Sequence, residues 1–199
     1  MVAVLSPSTE DLILDACDEL MVRYGFRKMS MDDVAKKAGM SRRTIYNFFK
    51  NKEDLGLSSI SRVVGQVFNE MEAIAASDAP VDDRLKDVLE QRVLGRLRRV
   101  RDYASSLDEL FEAVRPAYMG RRQAMFVAEQ RLLFGLLDEG VESGVFRSGT
   151  REYASSMILA TNALIPYSLS PEELGDEAEV LEKLTKMTDL LLSSVLENR

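Results

Sequence analysis

The sequence predicts an all-α protein of about nine helices, and three observations lead there. Apolar residues recur at spacings of three and four along nearly all of its 199 residues. Ser, Thr and Asp precede those runs and Gly follows them, as helix caps and stops do. No β-hairpin signal and no internal repeat stands out.

Ser8 or Thr9 can cap a first helix through Leu12, Ile13, Ala16, Leu20 and Met21, which Gly25 stops. Ser30 followed by Asp33 resembles a capping box and opens a short second helix, Met31 to Ala38. Gly39 ends it, and Ser41 can cap a third, Arg42 to Phe49. Asn51-Lys52-Glu53-Asp54 opens a long fourth helix with the stripe Leu57, Ile60, Val63, Val64, Val67, Phe68, Met71 and Ile74. Pro80 suits the first turn of a fifth, which carries Leu85, Val88, Leu89, Val93, Leu97 and Val100. A sixth, Leu107 to Val114, is expected to stop before Arg115-Pro116, because proline lacks the N–H that a helix interior needs. The seventh runs from about Ala117 to Glu142 and ends at Ser143-Gly144. An eighth, about Thr150 to Ile165, is broken by Pro166. A polar loop with Ser170-Pro171 leads to the ninth, striped by Val180, Leu181, Leu184, Met187, Leu191, Val195 and Leu196.

Charge divides the chain as the helices do. The net charge is −7, yet residues 21–52 hold nine Lys or Arg against two Asp. A small basic head therefore sits on an acidic helical body. No apolar run reaches the roughly 18 residues of a membrane span, and no basic-then-apolar leader opens the chain. With one cysteine, Cys17, on the apolar stripe of the first helix, a reducing cytoplasmic setting is expected. There is no histidine, so Ser-His-Asp and Cys-His catalysis and all His-containing metal sites are excluded, and no GxxxxGK[ST] phosphate loop is present. No enzyme, no metal and no cofactor is expected.

The second and third helices form a helix-turn-helix pattern, with Val34 and Ala35 inside, Gly39 at the turn and Ile45 inside on the next helix. In such motifs the second helix enters the major groove. Arg42, Arg43 and Thr44 stand at its start and Asn47 one turn on. Arg can read guanine, Asn adenine and Thr a thymine methyl. Tyr46, Lys50 and Lys52 are placed for phosphate, and the free N–H groups opening the fourth helix could bind one too. The bland alternative is a solvated basic face. At least one of Phe48 and Phe49 is assigned to packing.

The stretch MSMDDVAKKAGMSRRTIYNFFKNKEDL, with the preceding helix ending in RYGF, resembles the DNA-binding domain of the TetR family of transcriptional regulators. Ser41, Thr44-Ile45-Tyr46, Phe49 and Lys52-Glu53 fill the places of that family's pattern. The resemblance implies base contacts from Arg42, Arg43, Thr44 and Asn47. It implies backbone contacts from Tyr46 and Lys52, with Ser30 and Ser41 at the two helix starts. Phe48 stands where many relatives place His, so it packs or touches a thymine methyl instead of making a polar contact.

The resemblance also implies a division at residues 1–56 for DNA binding and 57–199 for ligand binding and dimerisation, the last two helices pairing in a homodimer. The expected activity is that of a ligand-responsive repressor on a palindromic operator. An activator, a ligand-independent DNA binder and a carboxylate-based helical enzyme are the alternatives. Tyr103, Phe111, Tyr118, Gln123, Phe126 and Met157 are candidate ligand contacts, with Met125 beside them, although Met and Phe at helical spacing are more often plain core. Asn162 could serve the ligand or bond across the dimer. Arg92, Arg96 and Arg99 share one helix face; they could meet an anionic ligand, but a solvated face with acidic neighbours is the expectation.

Overall fold

The computed structural model describes residues 7–100, 104–164 and 175–197. Among them it forms eight α-helices, a 3-10 helix and no strand beyond an isolated bridge between Phe146 and Leu196. The helices are α1 (Thr9–Tyr24), α2 (Met31–Lys37), α3 (Arg42–Phe48), α4 (Lys52–Ala75), α5 (Val81–Val100), α6 (Ala104–Glu142), α7 (Ala154–Asn162) and α8 (Glu177–Ser193). The 3-10 helix, Thr150–Tyr153, leads directly into α7.

Local signals set most boundaries. Ser8 and Ser30 form the reciprocal capping boxes that open α1 and α2, with Asp11 and Asp33 returning the bond to the cap backbone. Gly25 and Gly39 take positive φ, 80° and 66°, where a Cβ would be strained, and so end α1 and the turn after α2.

One expected boundary is absent. The sixth and seventh helices are a single 39-residue helix, α6, with Pro116 inside it. Val114 and Tyr118 are buried while Glu112, Ala113, Arg115, Pro116 and Ala117 are exposed. The proline therefore lies on the solvent side, where water can satisfy the carbonyl its missing N–H leaves free, and packing on either side of it keeps the helix going. The expected eighth helix begins as the 3-10 turn and its α-helical part ends at Asn162; Pro166 and the Ser170-Pro171 loop lie outside the described residues.

The chain divides into two compact units. The first takes the described residues up to Arg62 together with Ala104 to Tyr118; the second takes Val63 to Val100 and the chain from Met119 onward. Two helices, α4 and α6, thus contribute residues to both. In the first unit Ile13, Cys17, Leu20 and Met21 of α1 are buried, as are Val34, Ala35, Ile45 and Phe49. Cys17 is core, and burial pushes its thiol pKa far up, so the thiolate is not formed near neutral pH. Arg62 of α4 pairs with Asp15 and Asp18 of α1, each at 2.7 Å. Gly56 lets α4 approach its neighbours: a Cβ there would stand 2.5 Å from Leu110 Cδ1 and 2.8 Å from Phe26 Cε2.

In the second unit the core runs through Val67, Met71, Leu85, Val88 and Leu89 to Leu133, Leu136, Leu137, Met157 and Ile158. The buried face of α8, Val180, Leu184, Thr188 and Leu192, packs with that unit, and Lys86 and Asp189 (2.6 Å) tie α8 to α5. After α8 the backbone pairs with residues 145–147, Glu197 N donating to Val145 O at 2.9 Å and Arg147 N to Val195 O at 3.0 Å.

Candidate nucleic-acid interface

α3 is seven residues long and held by one buried side chain of its own, Ile45, and by Phe49 just after it. Arg42, Arg43, Tyr46, Asn47 and Phe48 are exposed, and Thr44 is half-buried. Phe49 is therefore the packing member of the Phe48-Phe49 pair, while Phe48 remains on the surface.

Ser41 caps α3, its Oγ accepting from Thr44 N at 3.0 Å and sharing a hydrogen bond with Thr44 Oγ1 at 2.8 Å. Thr44 thus has its hydroxyl engaged within the turn. Arg42 lies over the Tyr46 ring, 5.5 Å from its centroid, and grips Asp32 of α2 through Nε and Nη1 at 3.1 and 3.3 Å. Tyr46 first, and then Asp32, push the Arg42 pKa above its ordinary value, so the guanidinium is always charged. Its paired N–H edge is the geometry that reads guanine O6 and N7, held meanwhile by a carboxylate. Arg43 and Asn47 have no ion pair or side-chain hydrogen bond among the described residues.

Two expected phosphate ligands are already occupied. Lys52 Nζ donates to the carbonyls of Phe26 and Arg27, each at 3.1 Å, and stands 4.8 Å from the centre of the Phe26 ring. It closes the turn after α1 and has one N–H left. The start of α4 is capped from within, Asn51 Oδ1 accepting from Asp54 N at 2.7 Å, and its first turn carries Glu53 and Asp54. Those carboxylates oppose a phosphate there. Ser30 spends its hydroxyl on Asp33, donating to Oδ2 at 2.6 Å. These bonds hold the Asp33 carboxyl below its ordinary value. Lys50, exposed beside α3, is like Arg43 in that its side chain makes no hydrogen bond or ion pair among the described residues.

The candidate ligand residues do not form one cluster. Phe111 and Tyr118 meet edge to face, centroids 5.1 Å apart, in the first unit. Met157 belongs to the core of the second, and Phe126, partly buried, packs against it. Gln123 is exposed, Met125 half-buried, and Tyr103 lies outside the described residues. Asn162 Oδ1 accepts from Arg92 Nη2 at 2.7 Å.

The expectation of a solvated arginine face is corrected at two of three positions. Arg92 and Arg96 are buried, and both bond to the buried carboxylate of Glu129, Arg92 Nε at 3.0 Å. Arg99 is partly exposed and pairs with Glu70 at 2.5 Å. Glu129 was missed, although it falls on the register of Phe126, Leu133 and Leu136, where a carboxylate needs a buried partner.

Among the described residues no helix is long and apolar enough to cross a membrane, and no cluster of acidic or sulfur side chains is placed to hold a metal ion. Comparison with known proteins agrees with the helix-turn-helix. Residues 13–57 match the model of the bacterial regulatory proteins of the tetR family. Over 191 residues the chain is 27% identical to the fatty acid metabolism regulator protein of Bacillus subtilis, covering 94% of this chain and 95% of that one. Its fold matches a TetR transcription regulator from Haloarcula marismortui with a TM-score of 0.76 at 16% identity, covering 95% and 98% of the two chains. It also matches the regulator FadR from Bacillus subtilis in complex with stearoyl-CoA, with a TM-score of 0.65 at 22% identity, covering 92% and 97%. Residues 13–57 therefore carry the helix-turn-helix of the bacterial regulatory proteins of the tetR family, and the chain as a whole is similar in sequence to a fatty acid metabolism regulator and in fold to a TetR transcription regulator.

Proposed function

We propose that this regulator is a homodimeric, ligand-responsive repressor that reads a palindromic operator with α3. The observation that carries the reading is the face of α3, where Arg42, Arg43, Tyr46 and Asn47 stand exposed on a helix fixed by Ile45 and Phe49. Arg42 exchanges Asp32 for a guanine edge, Asn47 reads adenine, and Lys50 with Tyr46 supplies phosphate contacts. Residues 1–56 serve DNA and 57–199 serve ligand and dimer. The N-terminal turns of α6 travel with the head, since Arg27 bonds to Glu109 (3.1 Å) and Glu112 (2.7 Å).

The effector is an acyl compound, a reading supported by the Bacillus relative named for fatty acid metabolism and by the stearoyl-CoA of the similar structure. It acts by preferring one state of the body over another. α4 and α6 contribute to both units and so carry the difference to the head, with a coupling typically of about 1–3 kcal/mol. The test is selection of purified protein against fragmented genomic DNA at near-physiological salt, repeated with stearoyl-CoA. The expected result is an enriched palindrome that stearoyl-CoA depletes. Only weak, salt-sensitive and sequence-blind binding would refute the repressor reading.

A further inference from the structure

Within the second unit, two guanidiniums and one carboxylate are buried together, a cluster that among the described residues carries two positive charges against one negative. Glu129 sits between Arg92 and Arg96, one helical turn apart on α5. Arg92 is well provided for: Nε bonds to Glu129, Nη1 to Thr161 Oγ1 at 3.0 Å and Nη2 to Asn162 Oδ1 at 2.7 Å. Arg96 is not. Its side chain is 7% exposed, it shares its carboxylate with Arg92, and its buried Nε has no hydrogen-bond partner. An ionised group taken out of water and left short of both counter-charge and acceptor costs stability. A leucine or methionine at 96 would suit the flanking Val93 and Leu97 better. An acceptor brought from outside would supply what the fold omits.

We infer that the Arg92–Arg96–Glu129 cluster is an anion site, in which Arg96 receives a carboxylate or phosphate oxyanion of the effector. The inference rests on the reading that the body binds an effector. The ligand oxyanion accepts from Arg96 Nε and brings the cluster to two charges of each sign. Arg92, fixed by α6 and α7, keeps Glu129 in place while this happens.

The test measures binding without DNA, so that it stands apart from the operator. Palmitate offers a carboxylate, palmitoyl-CoA offers phosphates without a free carboxylate, and hexadecanol offers neither. All three are titrated, below their aggregation limits, into the full-length wild type, Arg96→Gln and Glu129→Gln. At least one anion should bind the wild type about tenfold or more tighter than the alcohol, and Arg96→Gln should abolish that preference while its affinity for the alcohol is kept. Which anion shows the preference tells carboxylate from phosphate.

The ligand-free melting temperatures separate this from a purely structural role. Arg96→Gln leaves a balanced Arg92–Glu129 pair and should melt no lower than wild type. Glu129→Gln leaves two buried cations and should melt lower, with added inorganic phosphate or palmitate restoring it. Equal binding of anions and alcohol, a preference surviving Arg96→Gln, or a Glu129→Gln protein that no anion stabilises would each overturn the site. If anions bind through Arg96 yet leave operator affinity untouched, the site stands and the repressor reading falls.

Discussion

Lys50 is exposed just beyond α3, whereas Lys52 donates to the Phe26 and Arg27 carbonyls beside the Phe26 ring. Their sequence context gives both the same phosphate role; their surroundings do not. Lys50→Met should reduce the slope of log affinity against log salt by about one, the mark of a lost phosphate contact. Lys52→Met should leave that slope alone and lower the melting temperature, since two carbonyls lose their donor. If Lys52→Met flattens the slope and spares stability, this division of roles is wrong. Asp33 gives a second prediction at this scale. Its folded pKa lies below the ordinary 3.8 because Ser30 donates to it through side chain and backbone. Its contribution is therefore fully present above the ordinary value and is lost as pH falls through the lowered one. Asp33→Asn should lose stability at pH 7 and show a weaker dependence of stability on pH below about 4 than the wild type. Parallel acid-melting curves of the two proteins would contradict the assignment.

At the scale of elements, α6 is the instructive case. Pro116 removes one helical hydrogen bond in the interior of a 39-residue helix, close to where the residues of α6 pass from the first unit to the second at Tyr118 and Met119. Pro116→Ala restores that bond on an exposed face and should stabilise the helix by about 1–3 kcal/mol. Amide exchange over residues 112–120 should slow accordingly, and unchanged exchange would show that packing alone sets the local stability. The same helix shows what a sequence can and cannot convey. Ser8, Ser30, Ser41, Gly25 and Gly39 announce the ends of α1 to α3 because a cap or a positive φ is decided within three or four residues. The exposed face of α3 was legible for the same reason. Pro116 misleads because the burial of Val114 and Tyr118 on either side of it, which its own neighbours in sequence do not announce, outweighs the local penalty. Gly56 looks like a weak point of α4 until Phe26 and Leu110 are placed against it. Arg92 and Arg96 look like surface because their counter-charge lies on another helix, more than thirty positions along the chain. A scattered pocket was illegible too, since Met and Phe at helical spacing serve core and cavity alike.

At the scale of the whole molecule, the last two helices leave leucines uncovered. α8 buries Val180, Leu184 and Leu192, yet Leu190 is 70% exposed, and Leu159 of α7 is 58% exposed. Leu181 and Leu196 are exposed as well. Leucines left in water on neighbouring helices are the expected face of an association, and a two-fold axis uses each one twice. Burying a leucine contributes about 1.5–3 kcal/mol, so two residues counted in both copies account for a substantial part of a dimer's stability. Leu159→Arg combined with Leu190→Arg should therefore convert the protein from twice the 22.4 kDa of one chain to that mass in light scattering. Helical circular dichroism should be unchanged, because neither side chain belongs to the core. Operator binding is the second readout. If the operator is the proposed palindrome, each head alone meets one half-site, and losing the link between heads should cost about 10²-fold or more in affinity for the full site while leaving half-site affinity as it was. A double variant that keeps the mass of a pair would move the interface elsewhere. One that becomes single yet binds the palindrome as tightly as before would mean that the operator is read by heads acting independently, and the two-fold reading of α3 would fail with it.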